Sequence, residues 1–224
     1  TFRFDEIEDY FRELISIGIK IIPNSSKTES ELLDFNKEYN LNLSFIAENG
    51  SSINGLNLIH KNLPQTILMS RTVDIIYEIF NKYIPYDLKQ KIILISKLDT
   101  NEQENIFDLP LNKIKLAMDR KHSIPIQFKG SEVEKNEFIK RINNAGLTVQ
   151  TGGRIMNICD KVNKSKAIAK TLELISNEIQ NEIITIGVGD NQNDLDMLKE
   201  TDYSCLVKND NFDSSLINID NLIK

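Results

Sequence analysis

The sequence is poor in the residues that usually announce a metal centre or a disulfide scaffold, with two cysteines and two histidines in 224 residues. Cys159 and Cys205 have neither metal-ligand spacing nor a framework pattern, so they read as buried thiols in a reducing cytosol. His60 and His122 stand alone and read as surface or edge residues rather than ligands. Basic runs with interleaved aromatics are missing too. The net charge of −6 and a pI near 5.1 disfavour nucleic acid as a partner. Long apolar runs are also absent. IGIKII (17–22) and EIITIGVG (182–189) are far too short to span a bilayer. No signal-peptide pattern opens the sequence, and no membrane is expected as a partner.

What is present is apolar material for one large or two modest cores, 40% of the chain. FDEIEDYFRELI (4–15) has helical apolar spacing with acids in its first turn, and Gly18 is its stop. IKIIP (19–23) reads as a short buried strand. In NSSKTESELLDF (24–35), Thr28 and Glu31 form a capping box for a second amphipathic helix, and LSFIA (43–47) is the next strand. ENGSSINGLN (48–57) is a turn signal. This helix–strand alternation is half of a doubly wound sheet.

The middle differs. QTILMSRTVDIIYEIFNKYI (65–84) reads as helix and KIILISKLD (91–99) contains a strand, with short helices near 101–107 and 111–119. A strand (124–130), a helix (131–146) and paired strands (147–159) follow, an order that suits a mostly antiparallel α+β module. The last segment returns to the first pattern: helix 163–179, apolar strand 182–189, helix 192–201 and strand 204–208. The expected organisation is an α/β protein with a doubly wound, Rossmann-like parallel-sheet core in two parts, 1–59 and 159–224. An α+β cap at 60–158 interrupts it.

Ligands of such sheets collect at the carboxyl ends of the strands, and two loaded turns fall there. Asn24-Ser25-Ser26-Lys27-Thr28 offers hydroxyls, a lysine and a helix N-terminus, which suit a phosphate and also suit an ordinary cap. Gly187-Val188-Gly189-Asp190-Asn191-Gln192-Asn193-Asp194 places hard oxygen donors at a strand tip, where glycines admit close approach. That donor set suits Mg²⁺, which takes one or two carboxylates, waters and a substrate phosphate. The lysines of DKVNKSK (160–166) could set an ammonium against phosphate or an acidic nucleophile; a solvated helix start is the plainer alternative.

In order and topology these three turns resemble motifs two, three and four of the haloacid dehalogenase superfamily of phosphatases, GDNQND being similar to its GDxxND motif. The inserted module resembles the cap of the Cof-like and sucrose-phosphatase branch. Within that branch SSKTESEL, FIAENGSSI, AMDRKHSIP (117–125) and TGGRIMNI (151–158) resemble segments of the mannosyl-3-phosphoglycerate and glucosyl-3-phosphoglycerate phosphatases.

The resemblance implies an Mg²⁺-dependent phosphoric monoester hydrolase of the cytoplasm. Its substrate would be a phosphorylated glycosylglycerate, on the route to a compatible solute such as mannosylglycerate. Ser25 would bind the transferred phosphoryl group, beside Ser26 and Lys27, and Lys164 would neutralise phosphate and nucleophile. Asp190 would ligate Mg²⁺ directly and Asp194 through water, with Asn193 orienting phosphate or Lys164. Arg120, Ser123, Gly153 and Arg154 would face the phosphoglycerate or the sugar from the cap.

Three departures stand out. DKVNKSKA is longer than the family's DKGKA, so Lys161 and Lys166 rival Lys164, and Asn157 stands where relatives often have histidine. The DxDGT strand end that carries the family's nucleophile has no counterpart, since Asp5 and Asp9 lie in a helix. The sequence is therefore expected to start just downstream of that strand, to lack the central strand of the sheet, and to be inactive by itself. The alternatives are a sugar-phosphate phosphatase such as one for sucrose 6-phosphate, or a catalytically dead phosphate-binding module. Hexose preference and oligomeric state are not legible.

Overall fold

The computed structural model describes residues 4–151, 155–191, 194–208 and the backbone of 222–223. A 3-10 turn at Phe4–Glu6 enters α1 (Glu8–Ser16), and Gly18, at φ 93°, follows its end. Phe4 meets Phe11 and Phe35 edge-on, with ring centroids 5.1 and 5.0 Å apart, which pins α1 to α2 (Glu29–Glu38). The predicted capping box is present: Thr28 Oγ1 accepts the Glu31 N–H at 3.1 Å, and Glu31 accepts the Thr28 N–H at 2.9 Å.

The expected strand at IKIIP does not form a ladder. A single parallel bridge joins Asn24 to Ile46 of β1 (Phe45–Ala47), through Ile46 N–H to Pro23 O at 2.8 Å and Ser25 N–H to Ile46 O at 3.0 Å. Strands persist by pairing, and among the described residues nothing pairs with the outer edge of 19–23. β1 itself is buried on both faces. Phe45 and Ala47 pack on Leu32 of α2, while Ile46 packs with Ala167 and Ile175 of α8 (Lys164–Glu178). Helices on both sides of a strand are the mark of a doubly wound core.

β2 (Ser52–Asn54) returns antiparallel to β1, and β3 (Thr66–Leu68) returns antiparallel to β2. The second of these corrects the helical reading of 65–84, because α3 starts only at Val73. Pairing with β2 is a tertiary contact that local periodicity does not register. β3 thus continues the β1–β2 sheet past residue 60.

The cap runs α3 (Val73–Tyr83), α4 (Tyr86–Lys89), β4 (Ile92–Leu94), α5 (Thr100–Phe107), α6 (Leu111–Met118), β5 (Ser123–Phe128), α7 (Glu132–Asn144), β6 (Thr148–Thr151) and β7 (Met156–Cys159). Its sheet has the order β4-β5-β7-β6, antiparallel throughout. Ile76, Phe80, Phe138 and Ile142 of α3 and α7 bury one face with Ile124, Ile126 and Ile158, each such side chain contributing about 1.5–3 kcal/mol. Strand alternation sends Ser123, Gln150 and Asn157 to the opposite face, which is polar and turned to the core.

Where the chain crosses between cap and core, Arg71 grips Asp160: the Arg71 N–H donates to Oδ2 at 2.6 Å and Nε to Oδ1 at 2.9 Å. Burial works against ionisation of Asp160, yet the side-chain and backbone hydrogen bonds from Arg71 outweigh it and hold the carboxyl below its ordinary range.

The core resumes with α8, β8 (Ile186–Gly189), α9 (Leu195–Leu198), β9 (Tyr203–Leu206) and β10 (Leu222–Ile223). β8, β9 and β10 are parallel. The core is thus in two half-sheets that share no pairing among the described residues. β8 pairs with β9 along one edge, and on the face away from α9 Ile186 and Val188 remain exposed. This is the doubly wound fold with an inserted cap.

Candidate active site

The acidic turn is built on a glycine. A Cβ at Gly189 would lie 2.6 Å from the Asp194 Cβ, so only glycine lets Asp194 fold against the tip of β8. There Asp194 Oδ2 accepts the Asp190 N–H at 3.3 Å, with Asp194 buried and Asp190 exposed. Lys164, the first residue of α8, brings its Nζ to 2.7 Å from Asp194 Oδ1. Lys166 turns away and donates to the Lys161 carbonyl at 2.9 Å. Asn163 caps α8, whose first residue, Lys164, is the one that pairs with the acidic turn.

The 24–28 turn is carried to the same place. Asn24 Nδ2 donates to the Lys164 carbonyl at 3.1 Å and lies 3.4 Å from Met197 Sδ of α9. Its Oδ1 is buried without a partner among the described residues. Ser25 Oγ accepts the Lys27 N–H at 3.2 Å, which closes the turn over the N-terminus of α2. The Lys27 ammonium pairs with Glu31 at 2.9 Å, along the helix.

The cap closes over this turn. Thr28 Oγ1 donates to the Leu116 carbonyl at 2.8 Å, Lys113 reaches Asp34 at 2.7 Å, and Ser30 hydrogen-bonds Asp119. Arg120, with 8% of its side chain exposed, donates from Nη1 to Ser123 Oγ at 3.1 Å and from Nη2 to the Ser26 carbonyl at 3.4 Å. Arg120 Nε and Asn157 Oδ1 are buried with no partner among the described residues. Buried polar atoms are rarely left so, and these two belong where a polar ligand would be met. The structure thus assembles Ser25, Ser26, Lys27, Lys164, Asp190 and Asp194 with Arg120 and Ser123 from the cap. Gly153, Arg154 and Asn193 lie outside the described residues.

Chemically, the Lys164 ammonium, the Ser25 turn and Arg120 are linked through Asn24 and the Ser26 carbonyl, and groups of this kind suit a tetrahedral anion. Among the described residues no three His, Cys, Asp or Glu side chains cluster to hold a metal. Asp194 is engaged by Lys164, and Asp190 lies exposed at the strand tip. One or two carboxylates completed by water and substrate oxygens is an ordinary Mg²⁺ arrangement, so the residues fit that ion.

Sequence reasoning gave no role to Glu48, although the residue lies in the quoted ENG turn. Glu48 is 3% exposed and accepts the Lys121 N–H at 2.7 Å from the cap. An acid preceding Asn-Gly at the end of an apolar strand was the available signal.

The family model for haloacid dehalogenase-like hydrolases matches residues 4–214. The chain is 25% identical over 216 residues to a glucosyl-3-phosphoglycerate/mannosyl-3-phosphoglycerate phosphatase of Persephonella marina, covering 92% of this chain and 79% of that protein. A protein of the same description from Methanococcoides burtonii is 28% identical, with 97% and 83% covered. Among solved structures, a haloacid dehalogenase-like hydrolase from B. subtilis superposes with a TM-score of 0.58 at 15% identity, covering 90% of this chain and 81% of that one. A Thermotoga maritima structure gives 0.60 at 17%, with 90% and 78% covered. These two show a common fold.

Proposed function

This chain belongs to the haloacid dehalogenase-like hydrolases, phosphoric monoester hydrolases by the names of its relatives, and from that premise we propose that its substrate is a glycosyl-3-phosphoglycerate. The products would be the glycosylglycerate and phosphate. The observation that carries the reading is the buried Lys164–Asp194 pair, 2.7 Å apart, set against the Ser25 turn and roofed by Arg120.

Ser25 and the N–H groups opening α2 would hold the phosphoryl oxygens, and Lys164 would offset their charge as it builds. Arg120 would meet a carboxylate or phosphate oxygen of the glycerate, and its unpartnered Nε leaves a donor for it. Bound at Asp190, Mg²⁺ would supply charge stabilisation to the transferring group. Cap closure, already made by Thr28, Lys113 and Ser30, would exclude water. In-line attack calls for an aspartate carboxylate facing the phosphorus. Asp194 is paired with Lys164 and Asp190 would hold the cation, so neither would serve as that carboxylate.

The test compares mannosyl-3-phosphoglycerate, glucosyl-3-phosphoglycerate and sucrose 6-phosphate. Calorimetry on the 224-residue chain, with and without Mg²⁺, measures binding, and phosphate release is followed in a version extended by a strand ending in DxDGT. Preference for the two phosphoglycerates supports the reading. Preference for sucrose 6-phosphate, or indifference to Mg²⁺, overturns it. Binding without turnover in the extended version favours a phosphate-binding module.

A further inference from the structure

Residues Glu48, Asn49 and Gly50 have φ of 44°, 57° and 101°, three left-handed residues in succession, two of them not glycine. Such backbone persists only where its surroundings over-determine it, and here each residue grips a different part of the molecule. The backbone of the turn faces the phosphate turn. Glu48 N–H donates to the Lys27 carbonyl and Asn49 N–H to the Ser25 carbonyl, both at 2.8 Å. The side chains face the other way, into the cap. Glu48 Oε1 accepts the Lys121 N–H at 2.7 Å, while Oε2 accepts the His122 N–H at 3.3 Å and the Ser123 hydroxyl. Asn49 Nδ2 donates to Gln150 Oε1 of β6 at 2.8 Å. Gly50 abuts the start of α8, where a Cβ would lie 2.2 Å from the Asn163 carbonyl oxygen.

Glu48 is therefore a buried acid whose side-chain hydrogen bonds all come from the cap, at the residues next to Arg120. The Arg120 Nη1 is 3.9 Å from its Oε2. If the cap lifts, the carboxylate exchanges those donors for water, and Arg120 loses both the acid and its hold on the Ser26 carbonyl. Two discrete, separately satisfied states are what a latch requires.

We propose that Glu48 is a positioning residue that fastens the docked cap and fixes Arg120 over the Ser25–Lys27 turn, so that cap docking becomes a condition for holding the anion. The inference rests on the phosphatase reading only for the nature of that anion.

Glu48→Gln tests it. Whichever way the new amide is turned, its NH₂ faces a backbone N–H or the Ser123 hydroxyl, so at least one acceptor is lost. Two quantities are read: hydrogen exchange at the amides of Lys121 and His122, and 3-phosphoglycerate affinity by calorimetry. Exchange at those amides is expected to rise about tenfold or more, as follows from losing a hydrogen bond to a charged acceptor. Exchange within α7 should be unchanged, and affinity should fall by a similar factor. Gln150→Ala, which severs the Asn49 tether in another cap strand, should also speed exchange at Lys121 and His122; it decides the matter if Glu48→Gln does not fold. Arg120→Lys should weaken binding with exchange at its neighbours unaltered.

Native exchange at Lys121 and His122 in Glu48→Gln, or faster exchange with undiminished affinity, overturns the proposal. If the unmodified chain does not bind 3-phosphoglycerate, the phosphatase reading fails instead, and exchange alone decides whether the latch exists.

Discussion

Lys164→Met would keep the length of the side chain and remove its charge, leaving the Asp194 carboxylate, 6% exposed, without a cation. The side chains of this pair are 14% and 8% exposed, between surface pairs, which contribute about 0–1 kcal/mol, and buried pairs, whose breakage costs about 3–5 kcal/mol. A loss of about 2–3 kcal/mol follows, or a fall of about 5–10 °C in Tm for a chain of this size. Asp194→Asn should cost about 1 kcal/mol, because an amide oxygen still accepts the Asp190 N–H. The double variant should be more stable than Lys164→Met alone, by about 1 kcal/mol, since no unpaired carboxylate is then left buried. Thermal and urea denaturation of the four proteins complete the cycle, and calorimetry with 3-phosphoglycerate should show a tenfold or greater loss of affinity in Lys164→Met. Single-variant losses that sum, within about 0.5 kcal/mol, to that of the double variant would refute the coupling, and undiminished affinity would refute its role at the anion.

Gly50→Ala combines φ +101° with a Cβ 2.2 Å from the Asn163 carbonyl oxygen, and should cost about 3 kcal/mol or more in urea denaturation. At Gly18, φ is +93° with nothing within 4 Å of a Cβ, so alanine there should cost only about 1 kcal/mol. The Asp160 carboxyl, held below its ordinary range in the fold, contributes stability above the unfolded value near 3.9 and loses it as pH falls through the folded value. The denaturation midpoint of Asp160→Asn should accordingly change less between pH 7 and pH 3 than that of the unmodified chain. Burial first, then the charges of Asp160 and Glu48, push the Cys159 thiol up to about 12, so alkylation at pH 8 should modify Cys159 only under denaturing conditions, as peptide mapping would show.

Much of this molecule was legible because its signals are local. Thr28 and Glu31 announced α2, and Asn-Lys-Ser-Lys announced α8, since a cap is decided within one helical turn. The acidic turn was legible for the same reason: Gly189 and Asp194 are five residues apart and meet around one strand tip. Pairing over distance was not legible. IKIIP has the composition of a strand but finds one bridge, and Thr66–Leu68 sits in a helical pattern yet pairs with β2. The choice of Lys164 over its neighbours depended on which face of a helix meets β8, a matter of packing. Glu48 escaped because its partners lie more than seventy residues away in a different domain. Sequence spacing offers no measure of such a contact.

Arg71 and Asp160 stand on the outgoing and returning passages of the chain, and their grip draws the two into one narrow neck. Bodies joined at two separated points can only slide or flex, whereas bodies joined at a single neck swivel. Admission of a substrate would then be a rotation about that neck, with displacement growing with distance from it. Loosening the neck would free that rotation, just as unfastening Glu48 would release the cap at its mouth.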